Sequence, residues 1–304
     1  MLHFMDFPHD FEPNNNLFRD ALLSQAKNSE QLSKNKITFI GCYPKISIFQ
    51  KALLFLRSRF SNNAMVDWLN HQKGLSSINK VAGKKVWITF ENRRIPPEGV
   101  NLSLSFDLDS NGGKNLYFPL LFSYIDFLNN KASYVRNHVS FDELLSPRVS
   151  IGKSIQARKF ACTFINNPDP VRLRFLRELS KYGEVEIFGR YANNYVEDKV
   201  AIGNNYKFVI CFENDLYPGY VTEKPLEAWL SKSVPVYWGN DSGGLLNSAA
   251  LINCSSYDSL AAAAELIASL QSQTEVIEEL IKQPLLNPGT KKPDLVGFLK
   301  TLLD

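Results

Sequence analysis

The chain has 304 residues, 34 Lys and Arg against 31 Asp and Glu, a formal net charge of +3 and 44% hydrophobic residues. That apolar share excludes disorder as the organising state, no run approaches the ~20 apolar residues of a bilayer crossing, and the length suggests two domains of roughly 150 residues each. Basic and acidic residues are interspersed without a Lys/Arg stripe, so nucleic acid is not an expected partner.

Residues 1–20 carry Asp6, Asp10, Glu12 and Asp20 and lack the basic-then-apolar pattern of a secretory leader. Short apolar runs at 37–40 and 86–90, flanked by lysines, predict buried strands. Between them the spacing predicts amphipathic helices over 48–60 and 64–71. Residues 102–109 alternate, with Leu102, Leu104, Phe106 and Leu108 against Ser103, Ser105, Asp107 and Asp109, which predicts a half-exposed strand. The Asp107/Asp109 pair forms a DxD triplet, read as solvated carboxylates on the polar face. A polar stretch over 139–157, with Pro147 and Gly152, is placed at the domain boundary.

The second half is more regular. A strand over 159–165 leads to Asp169–Pro170, an N-cap followed by proline in the first helical turn. Strands follow at 185–188, 207–212, 234–238 and 250–254, with helices from about 223 to 232 and 257 to 270. Strands alternating with helices predict a parallel sheet with crossover helices. Such sheets bind ligands beyond the carboxyl ends of their strands, which selects the loops after Ile165, Phe212 and Trp238.

Four cysteines, Cys42, Cys162, Cys211 and Cys254, are far apart, with no metal-ligand spacing. Three lie in apolar runs and read as buried thiols of a reducing compartment. The sequons at Asn101, Asn240 and Asn253 carry no weight in such a compartment. The four histidines are scattered. No GxxxxGK[ST] loop, GxGxxG fingerprint or GxSxG elbow is present.

The most informative segment runs from Tyr206 to Gly239. It is a buried strand, a Pro-Gly loop and a helix start bearing Thr222, Glu223 and Lys224. A helix start with a lysine suits a phosphate, and an acid there can accept sugar hydroxyls. It also fits ordinary capping by Thr222 and a favourable helix dipole, and spacing alone leaves both readings open. The stretch YKFVICFENDLYPGYVTEKPLEAWLSKSVPVYWG resembles the signature of the α-1,3/4-fucosyltransferases, family GT10 of bacterial type. WITFENRRIPP (87–97) and FINNPDPVRLRFLREL (164–179) are similar to further segments of that family.

The resemblance implies an α/β protein of GT-B architecture, with two Rossmann-like domains facing a central cleft: an acceptor domain over 1–150 and a GDP-fucose domain over 151–304, with a last helix over 295–303 expected to cross back to the first. It implies metal-independent, inverting transfer of L-fucose from GDP-fucose to an N-acetylglucosamine- or glucose-containing glycan, with α-1,3 linkage. Glu91 matches the general base. Arg172 and Lys224 match groups that bind the donor pyrophosphate, Glu223 one that contacts the ribose, and Asn214, Tyr220 and Val221 positions near the donor. Residue logic alone leaves Glu91 open as a surface acid paired with Arg93 or Arg94, and leaves Arg172 one of three arginines in its helix. Tyr217, Tyr220, Tyr237 and Trp238 suit either a sugar or base pocket or the core. The family's Arg before a Pro-Leu pair is replaced by Tyr117, so the acceptor side is expected to differ. The implied setting is cytoplasmic, with peripheral association at the inner membrane face and a role in surface-glycan synthesis. The alternatives are transfer of another GDP-deoxysugar and a non-catalytic carbohydrate-binding protein.

Overall fold

The computed structural model describes residues 2–5, 7, 10–25, 35–41, 81–89 and 99–303. The helices expected over 48–60 and 64–71, as well as Cys42 and Glu91, lie outside the described residues. The chain divides into two compact units. One comprises Met1–Pro119, Phe127–Arg136 and Pro293–Asp304, the other Leu120–Asp126 and Asn137–Lys292.

In the first unit, β1 (Leu2–Met5), α1 (Leu17–Leu23), β2 (Ile37–Ile40), β3 (Lys84–Ile88), β4 (Leu102–Ser105) and β5 (Asn115–Tyr117) follow in chain order. The five strands form one parallel sheet in sequential order. Asn16 caps α1 by accepting from Arg19 N–H at 3.0 Å, and the helix buries Leu17, Phe18, Ala21 and Leu22.

The strand expected to be half-exposed is instead buried on both faces from Leu102 to Ser105. The reason is Asn115 on the neighbouring strand. Its Oδ1 accepts from the hydroxyls of Ser103 and Ser105, both at 2.8 Å, and its Nδ2 donates to the carbonyls of Asp107 (3.0 Å) and Asp109 (2.8 Å). A fully bonded amide lets the polar face enter the sheet interior. Asp107 and Asp109 fall beyond the strand, in the turn that this amide holds.

The second unit contains β6 (Ile125–Asp126), β7 (Asn137–Ser140), α2 (Phe141–Leu144), β8 (Lys159–Phe164), α3 (Pro170–Leu179), β9 (Val185–Phe188), α4 (Lys199–Gly203), β10 (Tyr206–Phe212), α5 (Lys224–Leu230), β11 (Val234–Trp238), β12 (Ile252–Asn253), α6 (Leu260–Leu270) and α7 (Thr274–Lys282). The expected border near residue 150 lies inside this unit. Leu286 N–H bonds Leu144 O at 3.0 Å and Arg148 N–H bonds Lys282 O at 2.7 Å. The Arg148 guanidinium lies 3.3 Å from the Trp229 ring centroid, and burial pushes its pKa down to about 9. These ties fasten the stretch read as irregular.

The main sheet of this unit has the order β12-β11-β10-β8-β9 and is parallel throughout. In chain order that is 2-1-3-4-5, a doubly wound arrangement whose direction reverses between β8 and β10. Its core joins Ala161, Phe208, Ile210, Phe212, Val234 and Val236 to the inner faces of α3, α6 and α7. Cys162, Cys211 and Cys254 are free and buried, and burial pushes all three thiols up. Gly189, at φ +100°, ends β9; a Cβ there would lie 2.6 Å from Ile165 O, so only glycine fits beside the loop that follows β8. Finally α8 (Leu295–Lys300) belongs to the first unit. There Lys84 Nζ donates to Leu302 O at 2.9 Å, and Leu295, Leu299, Leu302 and Leu303 are buried.

Candidate active site

The reversal between β8 and β10 leaves the two outgoing loops diverging, which opens a crevice at the carboxyl ends of those strands. Asp169 caps α3 beside it, accepting from the N–H groups of Val171 (2.8 Å) and Arg172 (3.3 Å). This fixes the first turn and with it Arg172. Of the three arginines in α3, Arg174 and Arg177 are exposed and Arg172 alone is buried. Its guanidinium donates to Asn167 O (3.2 Å), Phe212 O (2.8 Å) and Asn214 Oδ1 (3.4 Å). Burial lowers its pKa, with Asp169 and Glu213 opposing; guanidinium stays charged regardless.

From the other side, β10 runs into Glu213, whose N–H bonds Trp238 O at 2.8 Å and prolongs the ladder. The loop then leaves the sheet and is tied back by Gly219 N–H to Asn240 O at 3.0 Å. Its return buries Tyr220, Val221 and Thr222. Thr222 does not cap α5. The residue at that position is Glu223, in helical conformation and with no side-chain capping bond. Thr222 instead turns to Glu213, donating from its N–H to Oε1 (2.7 Å) and from its hydroxyl to the carboxylate (2.7 Å to Oε2).

Lys224 completes the cluster. Its ammonium donates to Glu213 Oε2 at 3.0 Å and Thr222 Oγ1 at 2.9 Å, with Glu223 Oε1 at 3.9 Å. Burial by itself would lower the Lys224 pKa, but the carboxylates of Glu213 and Glu223 outweigh it and raise it above the ordinary lysine value. Burial pushes the Glu213 carboxyl up, against the pull of Lys224 and Thr222. With its donors in place the pair is held as carboxylate and ammonium. Two cations, Arg172 and Lys224, thus meet the three consecutive residues Phe212, Glu213 and Asn214, close enough for each to feel the other's field.

The structure brings together Arg172, Asn214, Glu223 and Lys224. Asn214 is exposed at the crevice, and Glu223 keeps part of its carboxylate open. Tyr220 and Val221 are buried, at 2% and 1% exposure. Tyr237 is wholly buried, whereas Trp238 is half-buried and stacks on Phe212 with centroids 5.9 Å apart. Sequence reasoning missed Glu213. The available signal was a carboxylate directly after the apolar run Phe208–Phe212, with a hydroxyl and an amine returning nine and eleven residues later.

Beside this cluster, beyond the ends of β11 and β12, lies a cavity of about 510 Å³ whose lining includes Leu216, Asn240, Asp241, Asn253 and Ser255. Burial raises the Asp241 carboxyl to about 6, although the N–H groups of Leu246 and Leu245 bond it. Among the described residues no group of His, Cys, Asp or Glu is placed to hold a metal ion, and no helix is long and apolar enough to cross a membrane.

Residues 155–281 match the model of glycosyltransferase family 10 (fucosyltransferase), C-terminal. The alpha-(1,3)-fucosyltransferase FucT of Helicobacter pylori is 29% identical over 161 residues, covering 48% of this chain and 34% of that protein. The mouse 4-galactosyl-N-acetylglucosaminide 3-alpha-L-fucosyltransferase 9 is 38% identical over 85 residues, 27% of this chain and 24% of that protein. The chain therefore spans about a third or less of the length of these curated relatives. A crystal structure of an alpha1,3-fucosyltransferase superposes with a TM-score of 0.71 at 20% identity, over 99% of this chain and 89% of that one. Another, with GDP-fucose, gives 0.61 at 24% identity over 74% and 76%. Residues 155–281 are thus similar to the C-terminal domain of glycosyltransferase family 10, in a chain that has the GT-B fold of the fucosyltransferase structures.

Proposed function

We propose that the chain is an inverting fucosyltransferase that moves L-fucose from GDP-fucose to a hydroxyl of an N-acetylglucosamine- or glucose-containing glycan, forming an α-1,3 linkage. The observation that carries this reading is the meeting of Arg172 and Lys224 at the β8/β10 switch point, inside the segment that matches the family model. In the reaction the acceptor oxygen bonds to fucose C1, the bond from C1 to the β-phosphate breaks, and its electron pair leaves on GDP. Arg172, as a fork, and Lys224, as a point charge, stabilise the diphosphate as that charge grows, which supports transfer without an essential metal. Glu223 accepts from the ribose hydroxyls, and Asn214, Tyr220 and Val221 lie near the nucleotide. Glu91 takes the acceptor's proton; its matching segment in the sequence supports that role. The linkage and acceptor class are supported by the names of the matched relatives. The cytoplasmic, peripheral-membrane setting is supported by sequence pattern alone.

Calorimetric titration tests the donor site without knowledge of the acceptor. GDP and GDP-fucose are expected to bind saturably, and UDP and ADP much more weakly. No binding of guanine nucleotide at millimolar ligand would favour a non-catalytic carbohydrate-binding protein. Given a turnover assay, Glu91→Gln is expected to abolish transfer and leave donor affinity nearly unchanged; equal turnover would remove Glu91 from the mechanism.

A further inference from the structure

We propose that Glu213 is the positioning residue of the donor site: it fixes the ammonium of Lys224 at the end of β10 and keeps that amine charged where the diphosphate binds. The inference rests on the donor-site reading above, which gives Lys224 its ligand.

Glu213 is a carboxylate at 1% exposure, immediately beyond the end of β10. A buried charge persists only when paired and hydrogen-bonded. Both its oxygens are engaged, by the Thr222 N–H, the Thr222 hydroxyl and Lys224 Nζ. Thr222 is therefore a relay: its hydroxyl donates to Glu213 and accepts from Lys224 at 2.9 Å. Two of the three ammonium protons are held on the protein side, and the third is left toward Glu223 and the crevice, with the Lys224 side chain 24% exposed. A flexible four-carbon stem is thereby given one direction before any ligand arrives, which reduces the ordering cost of binding.

The arrangement also sets the charge. The groups facing Lys224 are Glu213 at the end of β10, Glu223 and Glu227 on its own helix and Arg172 on α3. Burial and Arg172 oppose the ammonium, and the carboxylates, Glu213 foremost, favour it. Without Glu213, burial prevails and the amine sheds its proton at lower pH.

The test follows the lysine directly. In protein labelled with ¹⁵N-lysine, the Nζ signal of Lys224, assigned by its loss in Lys224→Met, is titrated in the wild type and in Glu213→Gln. The midpoint is expected to lie lower in the variant than in the wild type. GDP affinity, measured alongside, is expected to stay level in the wild type from about pH 7 to 9 and to begin to fall at a lower pH in the variant. Should Glu213→Gln not fold, Glu213→Asp keeps the charge but withdraws it by one methylene, and a smaller move in the same direction is expected. A Lys224 midpoint unchanged from wild type in the folded variant overturns the proposal. Absence of GDP binding by the wild type counts against the donor site, and the lysine titration, which needs no nucleotide, still decides the role of Glu213.

Discussion

Two cations of the second unit, Arg158 and Lys224, are stabilised by different means. Arg158, at 4% exposure, is held by carbonyls: it donates to Ile151 O (2.6 Å), to Lys153 O (3.1 and 2.9 Å) and to Lys232 O. Burial lowers its pKa, but a guanidinium cannot shed its proton in this range. Arg158→Met leaves several carbonyls without donors at the amino edge of the sheet, and a loss of about 3 kcal/mol is expected in urea unfolding. In the sequence this arginine was indistinguishable from the polar residues around it, since carbonyl partners leave no mark in side-chain spacing. Lys224 was legible by its motif, but its tie to Glu213 was not, because the two meet only after the loop has closed. That tie colours a simple test: Lys224→Ala is expected to weaken GDP binding and also to destabilise the fold by about 3–5 kcal/mol, as Glu213 is left unpaired. Isothermal titration and urea unfolding separate the two effects.

Individual elements show where sequence patterns suffice. Asp169–Pro170 announced α3 because capping is local, and the helix starts at Pro170 as that pair requires. Asp169→Ala is expected to cost about 1 kcal/mol and, because Arg172 sits in the first turn, to weaken GDP binding as well. A variant that loses stability but binds GDP unchanged would separate the cap from the site. The strand at 102–105 shows the opposite case. Alternation implied a wet face, yet Asn115 lies ten residues beyond Ser105 and takes both serine hydroxyls at once. Asn115→Ala is expected to orphan both and to lower stability by about 2–3 kcal/mol in urea unfolding. Likewise Thr222, placed to cap a helix by its position in the sequence, was claimed by a carboxylate nine residues earlier.

On the scale of the whole molecule, the parallel α/β character and the loop carrying the site were legible, because buried parallel strands read as apolar runs. The return of the last helix to the first unit was legible too, whereas the border near residue 150 was not, since the chain also passes between the units around 119–137. Removal of residues 293–304 strips the first unit of the buried leucines of α8 and of the acceptor for Lys84. Proteolysis of that truncated protein is expected to degrade the first unit while leaving 137–292 resistant; equal resistance of both would show α8 to be dispensable. The same return of the chain bears on synthesis. The ribosome delivers β1 to β5 early, yet their unit is incomplete until α8 emerges, on the order of ten seconds later at ~5–20 residues per second. The second unit, complete at Lys292, is free to fold first. Protein birth here runs against reading order, and the apolar surface that meets the leucines of α8 is what nascent-chain chaperones would have to shield in the interval.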